Sequence, residues 1–380
     1  MVLVPSGAVF PGGIKFDRTK KFSSSGVNVT GKILCDGDIL FNCGGVGTLG
    51  RSAIFSSSSM REKAVSDSFV LVIRSRNTDA LSRFIFYFLQ SEQASEEIIA
   101  NTRGTTGITS IRTEAIMGFG MPVPPLPEQQ RIVGILDKAF ASFATARANA
   151  EKNADNARAL YSSELDNLFT GLIDNCETIE LGELIETLTD YHANGSYEVL
   201  KQHVELKDTE DYAWMVRSTD FEKGFQNEMR YITKAAYEFL KKSRVFGGEI
   251  IMSKIGNAGK VYLMPDICSP CSLAMNLFLI RLKDGRASNK YVYRFLKSKF
   301  GEAQIQARLK GAATQTITKE NVRSLLIPLP SKTEQDQIVL RLENLEIETQ
   351  RLESIYQKKL DAVDALKKSL LHHAFTGQLK

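Results

Sequence analysis

Two stretches of the chain carry apolar or small residues in alternating steps of four and three. The first stripe runs Ile132, Leu136, Ala139, Phe143, Ala146, Ala150, then Ala157 and Leu160, with Asn153 interrupting it once. The second runs Ile338, Leu342, Leu345, Thr349, Leu352, Tyr356, Leu360, Val363, Leu366 and Leu370. A sustained 3.5-residue period predicts coiled-coil helices. At roughly forty-odd residues each, they would span on the order of 60 Å, too long for an ordinary core helix. Pro122, Pro124, Pro125 and Pro127 precede the first helix. Each fixes φ and removes an N–H, so the chain is held extended up to the helix start. Pro127 suits the first helical position, and Glu128 suits the positive end of the helix dipole. Ser331 with Glu334 predicts a capping box on the second helix. Gly171, after Phe169 and Thr170, suits the left-handed turn that ends a helix.

This helical unit occurs twice. Pro328, Leu329 and Pro330 echo the first proline segment, Glu334-Gln335 echoes Glu128-Gln129, and Ile338-Val339 echoes Ile132-Val133. Phe375-Thr376-Gly377 echoes Phe169-Thr170-Gly171, and every correspondence has an offset of 206 residues. The two helices therefore have equal length. Neither can leave its stripe in water, and the simplest partner is the other copy. The alanine-rich first seam would let the two axes approach closely. An intramolecular antiparallel pair fits.

The intervening blocks repeat as well. Asp36 to Phe41 resembles Gly247 to Met252, each a turn leading into a buried strand. Glycine-rich loops follow, Gly44 to Gly47 and Gly256 to Lys260, and then the apolar runs Phe69 to Arg74 and Leu277 to Arg281. Short amphipathic helices come next, at Ser82 to Gln90 and Asn289 to Lys297. The implied class is α+β: a block over 1–126, a helix over 127–172, a block over 173–331 and a helix over 332–380. The two mixed α/β blocks are separated by a long antiparallel coiled coil with pseudo-twofold internal repetition. The first block is short at its front. Met1 to Ser6 matches the strand around Trp214 to Ser218, so about 37 residues, the counterpart of Glu177 to Ala213, have no partner there. An upstream start or a natural truncation would account for this, and either would leave a strand edge unpaired.

Charge changes the picture by its distribution. Residues 1–126 carry 13 Lys and Arg against 10 Asp and Glu, and residues 178–332 carry 23 against 18. The helical segments are acidic, 5 against 8 over 127–177 and 7 against 8 over 333–380. Positive charge sits on the blocks, where it suits phosphates. No apolar run has the length of a membrane span and no signal peptide opens the chain. Five cysteines, irregularly spaced, suggest reduced thiols in a cytoplasmic protein. Cys268 and Cys271 are the one close pair, and no histidine is spaced to complete a zinc site with them.

No stretch reads as catalytic. Lys260 is followed by Val261, so the loop lacks the Ser/Thr of a P-loop, and no helix pattern follows Gly44 to Gly50 as dinucleotide binding would require. His372-His373 closes the last helix as a solvated terminus. No adenine-handling motif and no nucleophile with a local base is present. The residues describe a binder without metal or cofactor.

Two variable blocks alternating with two repeated helices resemble the specificity (S) subunit of Type I restriction–modification enzymes. The resemblance rests on Pro122 to Val133, its echo at Pro328 to Val339, and the two Phe-Thr-Gly endings, and it covers nearly the whole chain. It implies that each block is a target recognition domain reading one half of a bipartite double-stranded DNA sequence, with the helix pair setting the spacer. It further implies two methylating (M) subunits docked on the rod. These would bring S-adenosylmethionine and modify adenine at N6, base flipping being theirs. Restriction (R) subunits would join with ATP and magnesium. The missing front of the first block departs from the pattern. A defective paralogue and a protein-binding coiled-coil adaptor are the alternatives.

Direct readout requires Arg, Lys, Asn, Gln, Ser or Thr on exposed loops. In the second block the candidates are Arg217, Ser218, Lys254, Asn257, Lys260, Lys310, Thr314, Gln315 and Thr316. In the first they are Asn42, Arg51, Arg103, Thr105 and Thr106. Partner contacts on the rod are expected from positions flanking the seam: Arg131, Lys138, Arg147, Arg341 and Arg351. The seam itself is expected at Leu136, Phe143, Leu160, Leu345, Leu352 and Leu366.

Overall fold

The computed structural model describes residues 1–11, 13–23, 29, 33–45, 47–59, 62–75, 79–104, 109–226 and 228–379. The chain packs as two compact units, Met1–Asn153 with Ile355–Lys380, and Ala154–Ser354. Each unit thus holds one globular block and half of each long helix.

In the second unit the apolar run Leu277–Leu282 forms a central strand with almost every side chain buried. Ile185–Asp190 pairs with it on one side and Ile250–Ser253 on the other, and Val261–Leu263 extends the sheet beyond Ile250–Ser253. A second sheet places Ala213–Val216 antiparallel to Tyr231–Ile232 and parallel to Cys271–Leu273. The first unit repeats this plan. Ile39–Asn42 lies between Ser52–Ile54 and Val70–Ile73, and Val2–Val4 runs antiparallel to Lys20–Lys21 and parallel to Ala64–Ser66. The match of Met1 to Ser6 with the Trp214 strand is therefore real at the level of sheet topology.

The repeat breaks at one edge. Among the described residues no strand lies where Ile185–Asp190 lies in the second unit, and Val70–Ile73 ends its sheet. Phe278, Leu279 and Ile280 are buried, whereas their counterparts Leu71, Val72 and Ile73 are only half-buried. Losing one neighbouring strand exposes one row of backbone donors and acceptors.

The central helix spans Leu126–Asn175 and the C-terminal helix Lys332–Phe375. The central helix alone, at 50 residues, is about 75 Å long. Within each unit the halves run antiparallel. In the first unit Arg131 donates to the Leu379 carbonyl at 2.7 Å and Arg147 pairs with Asp364. In the second, Arg158 pairs with Glu353 and Arg341 with Glu164. The capping box forms as expected, Ser331 N donating to Glu334 Oε2 at 2.9 Å and Glu334 N to Ser331 Oγ at 3.3 Å.

Three expectations for the helices are corrected, the first being equal length, since the central helix has 50 residues and the C-terminal one 44. The central helix does not stop at Gly171. It continues to Asn175 because Leu172 and Ile173 pack on the core of the second unit, whereas Gly377, at φ 73°, does take the left-handed turn. The seam also differs from the leucine stripe. Leu160 and Leu366 are 59% and 56% exposed, and Leu352 and Ala146 also face out. Arg147, Glu353 and Lys367 take the inward positions instead. The ion pairs Arg147–Asp364 and Arg158–Glu353 hold two of them, and Lys367 lies over the Phe140 ring at 4.8 Å. Long side chains bury their methylenes there while their charged ends find an ion pair, a ring or an amide oxygen.

The repeated motifs acquire a physical reason. Gln129 and Gln335 are buried, and each Nε2 donates back to a proline carbonyl, Pro124 at 2.8 Å and Pro330 at 3.0 Å. Each glutamine thus locks its proline segment onto the helix start. Phe169 lies against Tyr291 and Phe295, with ring centroids 5.6 and 5.3 Å away. Phe375 lies against Phe84 and Phe88 at 5.1 and 5.4 Å. The end of the central helix anchors the second block, and the end of the C-terminal helix anchors the first.

Candidate nucleic-acid interface

In the second unit Ile250–Ser253 leads into the glycine loop, where Gly256 and Gly259 have φ of 85° and 82°. Side chains rarely adopt such φ, and a Cβ at Gly259 would run into Ile305, so glycine is required. The loop closes where Ser253 N donates to Lys260 O and Gly259 N to Ser253 O, both at 2.8 Å. A second loop, Lys310 to Thr316, closes on itself through Lys310 N to Thr316 O at 2.9 Å and the reciprocal bond at 2.8 Å. The bridge Ile255–Thr316 and the bond from Ile317 N to Lys254 O, at 3.1 Å, tie the two loops side by side. Asn257, Lys260, Lys310, Thr314 and Gln315 are exposed there, and Thr316 is half-buried. Asn257, Lys260 and Gln315, with Lys297 and Gln306, line a cavity of about 440 Å³.

The first unit builds the same arrangement. Arg103 and Ser110 exchange two backbone bonds at 3.0 Å, Gly44 bridges to Ser110, and Ile111 N donates to Cys43 O at 2.9 Å. Arg103 is exposed, and Thr105 and Thr106 lie outside the described residues. Arg51 occupies the place of Lys260: Asn42 N donates to Arg51 O at 2.8 Å and Gly50 N to Asn42 O at 2.9 Å. The counterpart cavity, of about 380 Å³, is lined by Arg51, Gln90, Ser95, Ile98, Ile99 and Lys367 among others. Lys367 Nζ donates to Gln90 Oε1 at 3.2 Å, and burial pulls its pKa down from the ordinary lysine value.

Several expected readers are held inside the protein. Asn42 is fully buried at the end of its strand, with Nδ2 on the Ser6 carbonyl at 2.8 Å, and is a framework residue rather than a loop residue. Arg217 is drawn inward by the buried Asp220 at 2.7 Å and by the Glu228 carbonyl at 2.6 Å, and Ser218 is half-buried as the first residue of the helix Ser218–Glu222. Lys254 reaches Asp190 Oδ2 at 3.2 Å, which Lys319 also approaches at 3.7 Å, so it braces the root of its loop. Lys260 is exposed but bonds Glu222 Oε1 at 2.7 Å, and this hydrogen bond chiefly holds the Glu222 carboxyl below the usual range. Burial, then Glu222, pushes the Tyr262 hydroxyl well up.

On the helices, Arg131 pairs with Glu128, Arg147 with Asp364, Arg341 with Glu164 and Arg351 with Glu348. Lys138 is exposed. The groove residues Lys297, Gln306, Gln90 and Lys367 were not found from the sequence. Gln90 and Lys297 share a register at the ends of the repeated amphipathic helices, so their signal lies outside the glycine loops. Among the described residues no cluster of three or more His, Cys, Asp or Glu is placed to hold a metal ion. No helix there is long and apolar enough to cross a membrane.

Residues 10–152 and 173–360 match the model of the Type I restriction modification DNA specificity domain. The Escherichia coli Type I restriction enzyme EcoBI specificity subunit is 23% identical over 317 residues, covering 78% of this chain and 65% of that protein. The Methanocaldococcus jannaschii MjaVIII specificity subunit is 20% identical over 330 residues, covering 84% of this chain and 75% of that protein. This chain thus spans just under two thirds of the EcoBI protein's length. Among solved structures, a chain from work on the assembly and conformational transition of the type I R-M system has a TM-score of 0.75 at 16% identity, covering 100% of this chain and 92% of that one. The HsdS subunit of Thermoanaerobacter tengcongensis has a TM-score of 0.56 at 17% identity, covering 100% and 90%. At these identities the structural likeness speaks to the fold.

Proposed function

Because the chain belongs to the Type I restriction modification DNA specificity domain family, we propose that it is the DNA-reading subunit of a Type I restriction–modification complex. One observation carries the reading: the same groove, a glycine loop beside a returning loop, is built twice, once in each unit. Two such grooves suit a bipartite target, each reading one half-site in double-stranded DNA. Asn257, Gln315 and Thr314 supply amide and hydroxyl groups for base edges, and Lys310 and Arg103 supply charge for phosphates. The continuous helices connecting the blocks set the spacer.

Two methylating subunits dock along the helices in this proposal. Support comes from exposed apolar positions such as Leu160, Leu340 and Ile347, and from a concavity of about 440 Å³ lined by Leu160, Leu345, Arg341 and Glu348 among others. S-adenosylmethionine and the adenine-N6 chemistry belong to those partners, and ATP and magnesium to the restriction subunits that join through them. This chain recognises without reacting.

The test against a protein-binding adaptor is a salt titration of duplex binding by the full chain. The logarithm of the association constant should fall linearly with the logarithm of salt concentration, at about 0.9 per phosphate neutralised. An affinity indifferent to salt, or none, would favour the adaptor.

A further inference from the structure

The two grooves differ at one position in how their charge is balanced. In the second unit Lys260 is neutralised by Glu222, which also accepts from the Tyr262 hydroxyl at 3.2 Å. In the first unit the equivalent Arg51 has no carboxylate within ion-pair distance among the described residues. Its guanidinium lies 5.1 Å from the Phe10 ring centre instead. Two more cations share that ring, Lys15 Nζ at 4.5 Å and Arg18 at 5.2 Å, and neither makes an ion pair among the described residues.

The hairpin fold assembles this cluster. Val9–Phe10 pairs with Gly13–Ile14, with Gly13 at φ 128°, so Lys15 and the turn Phe16–Arg18 come back beside Phe10. Lys15 N donates to the Ala8 carbonyl at 2.9 Å, which fixes that return. Asp17, exposed on the same turn, makes no ion pair among the described residues. Three cations near one aromatic ring lie within about 10 Å of one another. The like charges repel one another, and each cation's attraction to the aromatic ring offsets part of that repulsion. The ring therefore gathers three cations, none of which is held in an ion pair among the described residues.

We infer that Lys15, Arg18 and Arg51 around Phe10 form an uncompensated anion site for DNA backbone phosphate, so that the two units contribute unequally to the electrostatics of binding. The inference rests on the DNA-reading function proposed above and names the residues in the first unit that position the duplex rather than read it. Phosphate engages the Phe10 cluster without breaking an internal ion pair, whereas Lys260 must first leave Glu222. Glu222 is thus a latch on the second unit's cation, and among the described residues no carboxylate holds Arg51 in the same way.

The experiment is duplex binding by the full chain across a salt series, with thermal melting of each variant as a check on folding. The triple variant Lys15→Ala, Arg18→Ala, Arg51→Ala should flatten the log–log slope by about three, one per lost phosphate contact. The charge-preserving Lys15→Arg, Arg18→Lys, Arg51→Lys variant should keep the slope. Glu222→Gln should steepen it by about one, because Lys260 is released. A triple alanine variant that melts like the parent and keeps the parental slope would overturn the inference while leaving DNA reading intact. A parental chain without any salt-dependent affinity would refute DNA reading itself, and the inference with it.

Discussion

Phe169→Ala should destabilise the second unit by about 3–5 kcal/mol, among the largest effects a single side chain can have. Phe169 is fully buried and meets both Tyr291 and Phe295, the aromatic pair on the buried face of the helix Asn289–Leu296. Truncation removes two ring contacts and leaves a cavity where the central helix joins the block core. Phe375→Ala removes the equivalent contacts with Phe84 and Phe88, but Phe375 keeps 7% of its surface exposed and lies near the helix end. Its cost should fall below that of Phe169→Ala. Urea denaturation followed by far-ultraviolet circular dichroism would check the order. A loss under about 1 kcal/mol for Phe169→Ala would mean that the helix end does not anchor the block.

The second large effect concerns the spacer. Inserting one heptad into the central helix after Asn153, and a matching heptad into the C-terminal helix before Ile355, should lengthen the gap between half-sites by about three base pairs. Seven residues add about 10.5 Å along a helix, against 3.4 Å per base pair. Seven also preserves the 3.5-residue seam, whereas four would rotate one face against the other. Methylation mapping of cells carrying the insertion with the methylating subunit would read the outcome. Unchanged half-sites with a longer gap are expected. An unchanged gap would show that the helices do not measure the spacer.

The repeat was the most legible feature of this chain, because the proline segments and the Phe-Thr-Gly endings serve local jobs that tolerate little change. Gln129 and Gln335 brace prolines, and Phe169 and Phe375 fill aromatic pockets. The seam was less legible. The leucine stripe runs through Leu352 and Leu366, yet Glu353 and Lys367 turn inward, where an ion pair holds the first and the Phe140 ring the second. Hydrophobicity alone does not reveal which long polar side chains will be paired.

In the candidate site the loops are legible in the sequence, whereas the burial of several residues at their roots is not. Asn42 sits at the strand position that Ser253 fills in the other unit, and a buried strand end is hard to tell from the loop it feeds. Arg217 has its partner three residues on, in Asp220, a spacing visible in the sequence that marks a paired cation and not a free one. The Phe10 cluster was not legible at all. Lys15 and Arg18 come to the ring that Arg51 also approaches only through the hairpin of Val9–Phe10 and Gly13–Ile14, and nothing in their spacing announces a shared ring.

The most direct measurement is a methylome map of a methylation-negative host expressing this chain with its methylating subunit. A new bipartite adenine-methylation motif, two defined half-sites around an undefined spacer, is the predicted result. A complex that purifies intact yet leaves the genome unmethylated would contradict the claim that both units read DNA.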